Sequence, residues 1–285
     1  MASMRDIKRR KESIQSTEQI TKAMKLVSTV KLQKARTRAE HSRPFFDLMY
    51  DTVCNMLARS GNVNHRFLKA GNSPKKGIIV ITANRGLAGG YNSNIVKLVT
   101  RGSIPKEEAV IYNIGRKGKE IFKRNGYEIA ADYSDVIESP MYSDAVHIGE
   151  EVLSAFTRNE IGEIYLAYTG FKNTVTHVPT LIKLLPVDKS LGENKTSSDS
   201  VPMNYEPEED EALDVIIPKY VTSLIYGALV ESVASENGAR MQAMDNATSN
   251  ADEMISDLSL KYNRARQGSI TQELTEIIAG ASAIS

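Results

Sequence analysis

The chain has 285 residues, of which 41% are hydrophobic and 25% charged, with a net charge of +1. That is an ordinary globular composition, enough for one large or two ordinary domains with a sizeable core. The single cysteine, Cys54, excludes an internal disulfide and makes a reducing compartment the expectation.

The opening, MASMRDIKRR, has neither the apolar stretch of a signal peptide nor the look of a transit peptide. Residues 1–43 carry twelve Lys or Arg against four acids. They contain no proline, a condition for an unbroken helix of about 65 Å. Ile20, Ala23, Met24, Val27 and Val30 form an apolar stripe, and Ile7 and Ile14 lie on a continuing heptad. We assign residues 1–60 to an N-terminal coiled-coil helix.

All nine prolines fall between Pro44 and Pro218. Within that interval strands and helices alternate. GIIVIT (77–82) reads as a buried strand, followed by a glycine-rich turn and the helical NSNIVKLV. AVIYNI (109–114), the helical GRKGKEIFKRN, a helix near 143–158, EIYLAYT (163–169) and the extended VTHVPTLIKLLPV follow. Such alternation predicts a parallel sheet flanked by helices over 75–190. Residues 191–211 are polar, acidic and proline-bearing, and read as a surface loop.

Residues 212–285 read as a long C-terminal coiled-coil helix. Met241, Met244, Thr248, Ala251, Ile255, Leu258, Tyr262 and Ala265 recur in steps of three and four, the 3.5-residue repeat of a coiled-coil seam. Beyond Ala265 the pattern slips to Ile270, and Leu274, Ile277, Ile278, Ala281 and Ile284 form a new, uncharged apolar face. With a seam at each end, the economical arrangement pairs the terminal helices antiparallel around an inserted α/β domain. No unbroken 18-residue apolar run is present, so the chain is not expected to span a membrane, while peripheral attachment stays open.

The search for chemistry finds little. ITANRGLAGGYN (81–92) follows a strand and precedes a helix, the right context for a phosphate cradle, but its glycines do not make G-x-G-x-x-G. The turn reads instead as one that needs positive φ. Histidines 41, 65, 147 and 177 lie far apart without HExxH or cysteine partners, so neither a metal nor a cofactor is expected. The basic first helix leaves open a nucleic-acid-binding coiled coil, although aromatics are absent from it before Phe45. A small-molecule enzyme with a Rossmann-like core is disfavoured by the missing acid, base and metal constellations.

Four blocks resemble one family, the gamma subunit of F-type ATP synthases. They are ITQELTEIIAGASA (270–283), RRKESIQSTEQITKAMKLVSTVKLQKA (9–35), ASENGARMQAMDNATSNA (234–251) and LKYNRARQ (260–267). Thr82, Asn84 and Ala88 depart from the family's central turn, and the dithiol insertion of chloroplast forms is missing. The resemblance implies an α/β fold, a long antiparallel coiled coil of N- and C-terminal helices with an inserted Rossmann-like domain. It implies a bacterial, non-catalytic rotor shaft, peripheral on the cytoplasmic face of the cell membrane. Its partners would be three alpha and three beta subunits, epsilon and the c ring, with no nucleic acid. Lys22, Met24 and Lys25 would lie near the acidic lever of beta, and Arg266 and Gln267 at a beta catch loop. Arg240, Thr271 and Glu273 would also face the alpha–beta ring, and Tyr205 would belong to a foot near the c ring and epsilon.

Overall fold

A computed structural model describes residues 4–59, 65–188 and 209–284. The chain divides into two units, one drawn from residues 1–28 and 240–285, the other from residues 29–239. Two long helices contribute to both: α1, Met4–Arg59, and α5, Glu209–Ile284. Tyr205 and most of the acidic stretch 191–211 lie outside the described residues.

The second unit is built on a five-stranded sheet. Its strands are β1 (Lys76–Ile81), β2 (Ala109–Ile114), β3 (Glu128–Asp132), β4 (Glu163–Phe171) and β5 (His177–Leu185). They lie in the order β3-β2-β1-β4-β5. β1 runs parallel to β2 and β4, β2 runs parallel to β3, and β5 is antiparallel to β4. Helices α2 (Tyr91–Thr100), α3 (Arg116–Arg124) and α4 (Tyr142–Thr157) connect the parallel strands.

The unbroken apolar run of β1 follows from burial on both faces. Ile78 and Val80 point to one side, into a cluster with Ile95 and Val99 of α2 and Phe122 of α3. Ile79 and Ile81 point to the other, against Ile148 and Val152 of α4 and Ile217, Val221 and Ile225 of α5. Each such fully buried branched side chain contributes roughly 1.5–3 kcal/mol by leaving water. The packing on α5 also explains its hydropathy. Among the described residues, α5 contains an 18-residue window of mean hydropathy 1.4, enough by composition for a membrane span, and 56% of that window is buried inside the chain. Buried Leu213, Ile217, Val221 and Leu229 belong to the core of the sheet's helical layer.

Three details of the elements matter. Pro44 lies inside α1 and Pro218 inside α5. Each removes one N–H donor, typically at about 3 kcal/mol, so tertiary packing must hold the helices through those points. β3 is an additional strand, short and half-exposed on an edge of the sheet. The third concerns the face that α1 buries, described next.

Candidate partner-docking surface

In the first unit the two helices meet along a narrow seam. On α1 the less exposed residues are Ile7, Lys11, Ile14, Glu18, Thr21, Lys25 and Ser28, in alternating steps of four and three, with Met24 beside them. On α5 they are Met241, Met244, Thr248, Ala251, Ile255, Leu258, Tyr262 and Ala265, every one buried or half-buried. The heptad expected on α5 is therefore the buried one.

Two cross-helix contacts give the direction. The hydroxyls of Thr21 and Thr248 lie 2.8 Å apart. Lys25, four residues later on α1, donates to Asp245 Oδ1 at 2.5 Å, three residues earlier on α5. The pair is antiparallel. Since α1 begins at Met4, its first turn falls opposite α5 near Ala265 in this register, where the α5 repeat also breaks.

The stripe expected on α1 is corrected. Ile20 and Val27 are each 57% exposed, and Ala23, Leu26 and Val30 are exposed as well; only Met24 of the stripe is half-buried. The seam uses Thr21 and Ser28 instead. Their hydroxyls are satisfied locally, Ser28 Oγ donating to the Met24 carbonyl at 2.8 Å and Thr21 Oγ1 lying 3.0 Å from the Glu18 carbonyl. Small back-bonded side chains allow close approach of two helices without leaving an unpaired hydroxyl.

The remaining expected contact residues divide by exposure. Lys22, Arg266, Gln267, Thr271 and Glu273 are exposed on their helices. Arg240 is 9% exposed. Thr271 Oγ1 donates to the Gln267 carbonyl at 2.9 Å, an ordinary back-bond. Past Ser269 every residue to Ser282 is exposed, including Ile277 and Ile278 at 67% each. The apolar tip of α5 thus has water on all sides of its last turns. The exposed Ile270, Leu274, Ile277 and Ile278 make this end the candidate docking surface.

The glycine-rich turn of the second unit has a different use. Thr82 Oγ1 accepts from the Gly118 amide at 2.9 Å, and Asn84 Oδ1 from the Arg116 amide at 3.0 Å. The Ala83 carbonyl accepts from the Lys117 amide at 3.1 Å. The first N–H groups of α3, a helix that does not directly follow the turn in sequence, are thus taken by the turn. Asn92 Oδ1 in turn holds the Ala83 amide at 2.9 Å. Positive φ occurs at Leu87 and Gly89, and at Gly115 before α3.

Next to this turn, Asp132 is partly buried, which by itself would raise its pKa. Hydrogen bonds from Lys119, Ser134 and Asn113 outweigh that, and the carboxyl sits below its ordinary value. Glu163 behaves alike: burial opposes its charge, and Lys183 and Tyr165 hold it low. These are structural ion pairs along the sheet. Among the described residues no group of three or more metal-binding side chains converges.

Comparison with known proteins agrees with this architecture. The family model described as ATP synthase matches residues 3–284. The ATP synthase gamma chain of Lachnoclostridium phytofermentans is 70% identical over 290 residues, covering 100% of both chains. The sodium ion specific gamma chain of Acetobacterium woodii is 41% identical over 298 residues, covering 99% of each. Among solved structures, a chain from the central stalk and c ring of the Tetrahymena thermophila mitochondrial ATP synthase superposes with a TM-score of 0.60 at 27% identity. That match covers 80% of this chain and 99% of the other. A chain of the Euglena gracilis mitochondrial enzyme shares the fold at a TM-score of 0.72 and 18% identity, covering 99% and 94%. Matched over its whole length by family model, relatives and fold alike, the chain belongs to the gamma-chain family of ATP synthases.

Proposed function

We propose that this chain is the central rotor shaft of an F-type ATP synthase, a non-catalytic subunit attached peripherally at the cytoplasmic face of the membrane. In this reading the shaft turns inside a ring of three alpha and three beta subunits, and its α/β unit stands with epsilon on the c ring. The observation that carries it is the end of α5: a single helix that outruns its antiparallel partner and presents Ile270, Leu274, Ile277 and Ile278 to water. An apolar face without Lys or Arg suits a bearing, because a fixed salt bridge there would favour one rotational position over the others.

An asymmetric shaft shows a different face to each of three chemically identical sites. Turning it shifts each site through states of different nucleotide affinity, since any difference in contact free energy biases the conformational equilibrium. Ile20 and Val27, turned away from the seam, supply such a face for the acidic lever of beta, and Lys22 is exposed on the other flank of the helix. Met24 and Lys25 lie at its margin, and Lys25 is already paired with Asp245. Arg266 and Gln267, exposed just where the seam ends, would meet a beta catch loop, with Thr271 and Glu273 one and two turns further on. Arg240 keeps most of its surface inside the chain, so a contact from it to beta requires the side chain to turn outward. Tyr205 is assigned to the foot on resemblance alone.

The direct test is single-molecule rotation of a reconstituted complex with a bead fixed to the α/β unit. Stepwise ATP-driven rotation supports the shaft. ATP hydrolysis with a stationary bead would contradict it.

A further inference from the structure

The hairpin between β4 and β5 is closed by an Asn173 turn, whose side-chain oxygen accepts from the amides of Val175 and Thr176 at 3.0 and 2.7 Å. Just after it, His177 opens β5 opposite Phe171, with the two rings 6.1 Å apart. The imidazole then runs into α5 at Gly238. A Cβ at that glycine would lie 2.6 Å from His177 Cε1 and 3.2 Å from Nε2. Glycine inside a helix usually costs about 1 kcal/mol relative to alanine, so the missing side chain needs a reason. The ring occupying its place is that reason.

Both ring nitrogens are buried. Neither has a hydrogen-bond partner of good geometry among the described residues, although the Thr174 backbone lies close enough to favour the charged ring somewhat. A neutral imidazole tolerates such a site far better than an imidazolium, which must bury two donors and a charge.

We propose that His177 is a pH-sensitive latch, holding the tip of the β4–β5 hairpin on α5 while neutral and letting go when protonated. The charged groups around it do not change that sign. On α5, Glu231 lies two turns before Gly238 on the same face, and its Oε2 accepts from the Phe171 amide at 3.4 Å. Glu236 and Arg240, two residues to either side of Gly238, fall on the opposite side of the helix by its period. On the hairpin Lys172 is exposed, and Val178 and Pro179 beside His177 carry no charge. Burial dominates and pushes the imidazole below its ordinary pKa, with the Thr174 backbone offsetting only part. Because the docked ring titrates lower than a free one, the hold is complete above about pH 6.5. It weakens as pH falls from there toward the lowered value.

The test is hydrogen–deuterium exchange of the full-length chain between pH 8 and 5, corrected for intrinsic exchange. The peptide spanning the hairpin should lose protection by up to about tenfold per pH unit below 6.5, while the β1 peptide stays constant. In His177→Phe the hairpin's protection should not depend on pH. Constant protection in the native chain, or the same acid loss in His177→Phe, overturns the latch. Should His177→Phe leave the hairpin undocked at every pH, an NMR titration of His177 in the native chain decides. A ring pKa below 6.5 supports the latch, and a value at or above 6.5 overturns it.

Discussion

Thr21 of α1 and Thr248 of α5 share a hydrogen bond of 2.8 Å across the antiparallel seam. The two hydroxyls have two protons for three contacts: the one between them and those to the carbonyls of Glu18 and Met244. When one proton crosses the seam, the donor's own backbone carbonyl loses that bond. The pair acts as a rung that fixes the register of two helices whose other seam residues are small or flexible.

Replacing either threonine by valine leaves the other hydroxyl with its own backbone carbonyl. We expect a loss of about 0.5–1 kcal/mol for each single change and a smaller sum for Thr21→Val with Thr248→Val. A double-mutant cycle in urea measures this, and fully additive losses would mean that the rung carries no coupling.

Gly115 precedes α3 at φ +97, and a Cβ there would sit 2.1 Å from the Thr82 carbonyl oxygen. Gly115→Ala therefore breaks the joint between the glycine-rich turn and α3, at a cost of at least about 2 kcal/mol. Denaturant unfolding of the full chain checks this; a loss under about 0.5 kcal/mol would show that the joint can relax.

Gln267 and Ile278 are exposed, so Gln267→Leu and Ile278→Asp should leave unfolding of the chain within about 0.5 kcal/mol of the parent. In the assembled complex both should matter. Gln267→Leu should lower rotation-coupled ATPase turnover, and Ile278→Asp should make the complex dissociate more readily on dilution. Unchanged turnover and unchanged dissociation would remove α5's end from the working surface.

Asp132 and Glu163 both titrate below their ordinary values because Lys119 and Lys183, with neighbouring hydroxyl and amide groups, favour the charged forms. Folded values lowered below unfolded ones mean stability that is present above about pH 4 and lost as pH falls through the lowered values. Asp132→Asn should flatten the acid limb of the stability curve. An acid limb of unaltered slope would place the linkage elsewhere.

Tyr112, Tyr165 and Tyr220 are pushed up to about 12, in each case chiefly by burial. The unfolded chain ionises its tyrosines near pH 10 and the folded one does not, so stability falls as pH rises from about 10 to 12. Tyrosinate absorbance should appear together with loss of the fold; its full appearance in a folded chain would contradict the burial.

The central strands were legible because burial on both faces leaves an unbroken apolar run: AVIYNI is β2, residue for residue. β3, EIAAD, sits half-exposed on an edge and carries too little apolar content to announce itself. The α5 seam was legible because Met244, Ala251 and Leu258 stand among polar neighbours. The α1 seam was not. Ile7 and Ile14 lie in it as the heptad suggested, but Ile20, Leu26, Val27 and Val30 face outward, while Thr21 and Ser28 face in. A hydrophobic pattern records every burial a chain undergoes, in its own fold and against its partners, and cannot by itself tell one from the other. That misreading is informative, because the outward stripe is what a docking face looks like.

The most direct measurement is the native mass of this chain co-expressed with alpha and beta subunits, with ATPase turnover followed on the same sample. The rotor account predicts one copy of this chain for three alpha–beta pairs, and turnover that is lost when the chain is left out. A chain that stays alone, or a complex whose turnover does not depend on it, would contradict the account.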